Sequence, residues 1–392
     1  MGALCTFLVL LGGLVLAPRD ARAYPQFQLV HDTECGTCHL SPAGGGLLNS
    51  FGRDEAGSTI SRGGDGRLLH GAWDPPEWFA IGGDFRFAFA GRRTRATDAD
   101  LGADPADPDR PEVVRHDLLI FPMQADVNLR FSKGNFAFAL TAGVRGVARG
   151  EDDEQPVLVE RLGSREHYVE YTFGKRLVRA GRFFPVFGLR LPDHTAFVRR
   201  FMGFNILEEP YALEFAHRGN ATELHLTAFV PQPIPLLGSG LRRAGATALV
   251  EHRFGDDLIL GGQGRVAIGE HDGLFTAGTI AKRWFPEAGV LLLAELDIQR
   301  QTFRGNGPGR TQIAGFGQVS KWATRGVLVS SALHLWEPDL TLRSTTRHAF
   351  ELAAQIFPRA HFEVVVLLRA AAQGGTVEDP SYLGLLQLHY YL

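Results

Sequence analysis

Residues 119–131 have the sequence LIFPMQADVNLRF, and this stretch decides the fold. From Leu119 to Phe131 every second side chain is apolar or small. The positions between them carry most of the polar groups: Gln124, Asp126, Asn128 and Arg130. Successive side chains of a β-strand point to opposite faces, so a period of two predicts a strand with one apolar and one polar face. Strict alternation also places Met123 on the apolar face.

The same pattern recurs along the chain after Glu77, in segments of about ten to fifteen residues. Clear examples are residues 136–145, 223–228 and 292–297. An apolar outer face combined with a polar or small inner face is typical of a transmembrane β-barrel, whose strands cross the bilayer in ~9–11 tilted residues. The alternative is a soluble β-rich domain such as a sandwich, and the strand lengths favour the barrel.

Short turns alternate with longer polar loops between these segments. The turns lie at residues 132–135, 174–175, 218–220, 255–257, 286–287, 324–326 and 358–359. The pattern predicts about sixteen antiparallel strands between residues 77 and 392, connected by seven short turns and eight longer loops, a size typical of porins. Both ends of such a barrel lie on one side of the membrane, the periplasmic side. The last strand, residues 381–392, resembles the C-terminal signal of outer-membrane barrels.

The composition agrees with a β-protein. The chain has 47 glycines and 28 phenylalanines but three methionines among 392 residues, which suits strands and tight turns. Its formal net charge of −3 argues against nucleic acid as a partner. No segment after the N-terminus approaches the ~20 apolar residues of a membrane-spanning helix.

Residues 1–23 form a predicted signal peptide. An apolar run from Leu4 to Leu16 precedes Ala21-Arg22-Ala23, which has the form of a signal-peptidase site. The alternative, a transmembrane anchor, needs a longer run of ~20 residues. We therefore expect export, a small module at residues 24–67, a linker at 68–76 and the barrel at 77–392.

The chemically specific motif is Cys35-Gly36-Thr37-Cys38-His39, a CxxCH sequence. This pattern predicts attachment of one haem c, with Cys35 and Cys38 bound to the haem and His39 as the proximal ligand of its iron. A CxxC disulfide or half of a zinc site has the same cysteine spacing. A structural zinc site needs two more ligands nearby, and a redox CxxC is expected near a βαβ pattern. Neither is evident in the sequence.

The second axial ligand of the iron is open at this stage. His31, His70 and Met202 are the candidates, and a vacant or water-bound position is the alternative. A methionine ligand raises the haem potential relative to histidine, so the choice bears on function. Met123 is set aside because alternation assigns it to the lipid face.

The third long loop, Val186 to Pro210, is rich in charge. Its notable residues are Arg190, Asp193, His194, Arg199, Arg200, Met202, Glu208 and Glu209. Such a loop either folds into the lumen and forms a constriction or lies outside in solvent. Acidic residues also occupy predicted inward positions: Asp126, Glu166, Glu170, Glu214, Glu223, Glu295, Asp297 and Glu363.

The N-terminal residues resemble a known family. Ala23-Tyr24-Pro25-Gln26-Phe27, the CxxCH motif, Pro42, Leu48 and Phe51-Gly52-Arg53 are similar to the signature of fused monohaem cytochrome–porins, outer-membrane proteins that include iron(II) oxidases. The resemblance implies electron transfer between an extracellular donor, iron(II) among them, and a periplasmic cytochrome or other carrier. It also implies a possible iron(II):cytochrome c oxidoreductase activity. The haem module would then lie on the periplasmic side or inside the lumen. A diffusion porin whose haem module gates the channel or senses redox state is the alternative.

Overall fold

A computed structural model describes residues 38–95, 114–145, 162–204, 208–231, 243–305, 307–342, 345–373 and 380–392. Within these ranges the chain forms a closed antiparallel barrel of sixteen strands, which confirms the predicted barrel and its strand number. The predicted signal peptide, His31 and Cys35 lie outside the described residues. No helix in the described ranges is long and apolar enough to cross a bilayer.

The strands follow the chain in order around the barrel. They are β1 (Phe79–Arg95), β2 (Val114–Lys133), β3 (Phe136–Arg145), β4 (Leu162–Phe173), β5 (Arg176–Arg182), β6 (Tyr211–Arg218), β7 (Thr222–Val230), β8 (Ala244–Phe254), β9 (Leu258–Ile268), β10 (Asp272–Phe285), β11 (Val290–Phe303), β12 (Arg310–Thr324), β13 (Val327–Glu337), β14 (Arg347–Arg359), β15 (Phe362–Gln373) and β16 (Ser381–Tyr391). The last strand pairs with the first, from Asp84 opposite Tyr391 to Arg93 opposite Tyr382. This closure leaves the sheet without an unpaired edge.

The outer face of the barrel is apolar, as the alternation predicts. On β11, Leu296 and Ile298 are exposed on the outside. Glu295 and Asp297, which alternate with them along the strand, are buried inside. Aromatic side chains are exposed next to the short turns: Trp78, Phe131, Phe136, Phe254, Phe285 and Phe362. An apolar band edged by aromatic residues is the outer surface of a transmembrane barrel.

The alternation fails at one position in the deciding stretch. Between β1 and β2 the pairing shifts, so that Arg86 lies opposite Gln124 while Phe87 lies opposite Pro122. The extra residue at this β-bulge is Met123. A one-residue shift moves the following side chains to the other face of a strand. The prediction that Met123 faces lipid is therefore wrong, and Met123 instead lines a cavity inside the barrel.

Seven short turns connect consecutive strands at one end of the barrel, as predicted, but the last consists of residues 360–361 and follows the predicted 358–359, which end β14. Several contain a residue with positive φ, such as Gly134 at +59° and Gly326 at +77°, a conformation that favours glycine. At the other end the connections are longer, with one exception. Only three residues, 269–271, separate β9 from β10, so the expectation of eight long loops is wrong there.

The connection between β5 and β6, residues 183–210, is called loop 3 below. Its described residues, 183–204 and 208–210, fold into the lumen, so the inward alternative is confirmed. Val186, Leu189 and Met202 of loop 3 pack in one cluster with inward-facing residues of the wall, among them Ile280 and Leu293. A short π-helical turn, Val198–Met202, belongs to the same cluster. This contact buries apolar surface in the middle of the barrel.

Residues 38–76, the N-terminal segment, precede β1. They contain a helix, α1 (Ser50–Glu55), a π-helical turn (Ala56–Ile60) and a 3₁₀ turn (Leu68–Gly71). The Asn49 side chain caps α1 by accepting a hydrogen bond from the backbone N–H of Gly52 at 2.9 Å.

Candidate functional site

The second half of the CxxCH motif lies in a compact backbone structure. The N–H of Leu40 donates to the carbonyl of Leu47 at 3.0 Å, and the N–H of Asn49 donates to that of Cys38 at 2.9 Å. The glycines between these pairs, 44–46, all have positive φ and turn the chain back on itself. These hydrogen bonds fix the loop that contains Cys38 and His39, and α1 follows directly after it.

Backbone contacts fasten the N-terminal segment to the turn end of the barrel. Arg325, in the turn between β12 and β13, donates to the carbonyl of Ser61 at 2.7 Å. The N–H of Ala360, in the turn between β14 and β15, donates to the carbonyl of Gly63 at 2.9 Å. Arg53 donates to the carbonyl of Ile81 on β1 at 2.6 Å. Arg53 is thus engaged with the wall and does not line the cavity described next.

A cavity of about 320 Å³ lies between the N-terminal segment, loop 3 and the wall formed by the first strands. Its apolar lining includes Leu40, Leu48, Phe184, Phe187 and Leu191, and its polar lining includes Arg86, Arg130, Arg165, Asp84 and Asp126. Pockets for small molecules and cofactors have volumes of ~300–1,000 Å³ and are mostly apolar with a few placed polar groups. The cavity has both properties.

Cys38 and His39 line this cavity. Within the described ranges, Nδ1 of His39 is buried and has no hydrogen-bond partner. Burial lowers the pKa of His39, although the charge of Asp84 and the carbonyl of Gly45 oppose this effect. The neutral imidazole is the form that binds a metal ion, and the ring of His39 lines the cavity.

These residues fit a haem. Cys38 is 7% exposed and adjoins His39, so the described part of the motif lies at the cavity. Leucine and phenylalanine side chains would contact the apolar ring, and the guanidinium groups of Arg86 and Arg130 are suited to its carboxylates. Nε of Arg86 and Nη1 of Arg130 are buried without partners in the described part of the chain. Cys35, the other predicted attachment site, lies outside that part.

Two of the three predicted candidates for the second axial ligand, His70 and Met202, do not line the cavity. His70 is exposed and its ring packs edge-on against His361, with 4.7 Å between centroids. Met202 is fully buried in the loop 3 cluster and is not among the residues that line the cavity. His31 is outside the described residues. The cavity is lined instead by Met123 and His194.

Sequence reasoning missed these two residues for different reasons. Met123 lines the cavity because the bulge changes the face that its side chain occupies. His194 lines it because loop 3 folds inward. Burial lowers the pKa of His194; the carboxylate of Asp193 opposes this effect, and the guanidinium groups of Arg199 and Arg86 add to it. The lowered pKa favours the neutral imidazole.

No family model matches the sequence, and no curated protein matches it. Solved structures do match. OmpT, an outer membrane protein of Vibrio cholerae, superposes with a TM-score of 0.56 at 9% identity over 80% of this chain and 99% of that one. An anion-selective porin from Comamonas acidovorans gives 0.56 at 12% over 80% and 99%. The outer membrane channel DcaP of Acinetobacter baumannii gives 0.52 at 11% over 80% and 97%.

The chain has the fold of the outer-membrane porins. The matched structures cover four-fifths of this chain. At such low identity these structures establish the fold alone, so the chemistry has to be inferred from the residues of this chain.

The predicted inward acids lie inside the porin-like barrel, where many of them meet basic side chains. Arg179 and Glu214, both fully buried, are joined by contacts of 3.0 and 2.6 Å. Arg190 of loop 3 lies 2.9 Å from Glu223 and 2.5 Å from Glu251. The lumen is therefore mixed in charge. No cluster of three or more acidic, histidine or cysteine side chains arranged for a metal ion occurs in the described ranges.

Gly52 sets how closely α1 approaches the CxxCH motif. A Cβ at this position would lie 2.4 Å from the carbonyl oxygen of Cys38, a backbone atom that has no flexible side chain to move. We expect Gly52→Ala to displace α1 or Cys38 and to destabilise the N-terminal segment by about 1–3 kcal/mol, the range for overpacking.

Limited proteolysis of the barrel in detergent measures this effect. Cleavage within residues 38–76 should become faster in Gly52→Ala. Gly63→Ala is the matched control, because a Cβ there has no atom within 4 Å and φ is not positive. Equal cleavage rates for the two variants would contradict the packing argument.

Proposed function

We propose that this chain is a bacterial outer-membrane protein that exchanges electrons across the membrane through one haem c bound inside its barrel. The observation that carries the proposal is His39, whose imidazole lines a cavity within the lumen beside Cys38 of the same motif. The attachment residues are Cys35 and Cys38, and His39 is the proximal ligand. The electron donor is extracellular, with iron(II) as the substrate, and the acceptor is a periplasmic cytochrome or similar carrier.

The apolar outer band supports the membrane location. The band of an outer-membrane barrel is ~25 Å tall, and the cavity lies within the lumen that this band surrounds. A redox group there is part-way across the membrane. Donors and acceptors then need to approach only the two ends of the barrel. Haem supplies reversible one-electron chemistry at its iron when it is bound.

The protein's own residues would prepare this site. Loop 3 packs its apolar side chains across the lumen and the N-terminal segment occupies the turn end, so together they limit the access of bulk water to the cavity. A low local dielectric strengthens the interaction of the luminal arginines with anionic groups. Asp84 lies near His39 and favours its positive form, whereas burial opposes it.

The second candidate function is a diffusion porin whose N-terminal haem module gates the channel or senses redox state. The observation in its favour is the similarity in fold to porins, among them the anion-selective porin from Comamonas acidovorans. The inward loop 3 is compatible with both functions, because it narrows a channel and also encloses a cofactor.

One set of measurements on the purified protein separates the two. A pyridine haemochrome spectrum should show haem c, and anaerobic addition of iron(II) should reduce it rapidly while conductance in a planar bilayer stays low. Large ion conductance that does not change between oxidised and reduced haem would reject electron transfer as the main function. Conductance that follows the redox state would favour the gated porin. Absence of haem c would reject both proposals.

A further inference from the structure

Loop 3 presents one histidine to the cavity on a fastened backbone. Asp193 accepts hydrogen bonds from the N–H and hydroxyl of Thr195 at 2.8 and 2.7 Å. Arg369 of β15 donates to Asp193 at 2.6 Å and also to the hydroxyl of Thr195. The residues on both sides of His194 are therefore tied to each other and to the wall.

Neither ring nitrogen of His194 makes a hydrogen bond to a described residue. The adjacent residues Asp193 and Thr195, by contrast, both accept hydrogen bonds from Arg369. The ring lies on the cavity that His39 also lines. The ring is partly exposed, so its nitrogens are open to a ligand in the cavity.

The two histidines reach the cavity from different elements. His39 belongs to the N-terminal segment and His194 to loop 3, and both rings line the same cavity. Asp84 and Arg86 of β1 line it as well, at successive inward positions about 7 Å apart along the strand.

We propose that His194 is the second axial ligand of the haem iron bound by His39. This inference rests on the proposed haem site. Met123 is the competing residue, but it belongs to the same wall on which the His39 loop rests, where Gly46 approaches Asn128 and Leu47 approaches Gly82. Axial ligands must lie on opposite faces of the haem, and loop 3 borders the cavity from a different side. Two histidine ligands would give a lower potential than a histidine–methionine pair.

Spectroscopy of the folded holoprotein tests this assignment. His194→Ala should convert a low-spin, six-coordinate haem into a high-spin form, and added imidazole should restore the low-spin spectrum. His194→Met should show the charge-transfer band of a methionine–iron bond and a higher reduction potential. His70→Ala is the control, because His70 does not line the cavity, and it should leave the spectrum and potential unchanged. Met123→Leu tests the competing residue and should leave the haem low-spin.

The outcomes separate this inference from the function on which it rests. Wild-type protein without haem c would remove the haem site, and the inference with it. With haem c present, a low-spin spectrum that persists in His194→Ala would overturn the assignment. A change in Met123→Leu alone would assign the ligand to Met123. A five-coordinate wild-type haem would show that the position is vacant.

Discussion

Replacing both Cys35 and Cys38 with serine is expected to remove all covalently bound haem while the barrel remains folded. The two thiols are the attachment points of the CxxCH motif, and the barrel pairs its strands without them. Haem staining after denaturing electrophoresis measures the covalent bond, and the shift in mobility between heated and unheated samples measures the barrel. The single variant Cys38→Ser should retain at most one thioether, with a shifted pyridine haemochrome band.

Ser41→Ala is the matched control for this experiment. Ser41 lines the same cavity and is 9% exposed, and its hydroxyl has no partner in the described ranges. Removing that hydroxyl breaks no hydrogen bond to a described residue, so the haem content of Ser41→Ala should equal that of the wild type. Haem that still stains in the double cysteine variant would show that the cysteines do not attach it, and would favour a disulfide at this CxxC.

The strands could be predicted from sequence because lipid outside and polar groups inside impose a period of two. On β7, for example, Glu223 and His225 are buried inside while Leu226 is exposed to the outside. The limit of this reasoning is Met123. A single extra residue shifts the pairing of β1 with β2, and nothing in the alternation marks where that shift occurs.

Loop 3 was undecided in the sequence, although one signal pointed to its position. Residues 290–294 are VLLLA, apolar on both faces, and Leu291 and Leu293 point into the lumen, where a water-filled barrel would carry polar residues. Apolar inward positions on β11 require an apolar partner inside. Loop 3 supplies it with Val186 and Leu189.

The placement of the N-terminal segment could not be derived in this way. Its contacts use backbone atoms of the turns, such as the N–H of Ala360 and the carbonyl of Gly63. Backbone groups are present in every residue, so the sequence does not encode which of them meet. The CxxCH motif predicted the chemistry at His39 but carried no information about the cavity around it.

Placing an acidic side chain at Leu189 is expected to release loop 3 from the lumen. Leu189 is fully buried, packs in the loop 3 cluster, and donates its N–H to the Glu295 carboxylate at 2.8 Å. Leu189→Asp would bring a second carboxylate beside Glu295. An uncompensated buried charge costs about 3–5 kcal/mol, and withdrawal of the loop relieves it without disturbing strand pairing.

Planar bilayer recordings measure the consequence. Conductance of Leu189→Asp should rise severalfold over the wild type, and its haem should bind added cyanide or carbon monoxide faster because the cavity opens. Leu189→Met conserves volume and polarity, costs less than about 1.5 kcal/mol, and should behave as the wild type. If Leu189→Asp forms a heat-modifiable barrel with unchanged conductance, loop 3 does not close the lumen. Enclosure of the cavity would then depend on the N-terminal segment, which holds His39 against the opposite wall.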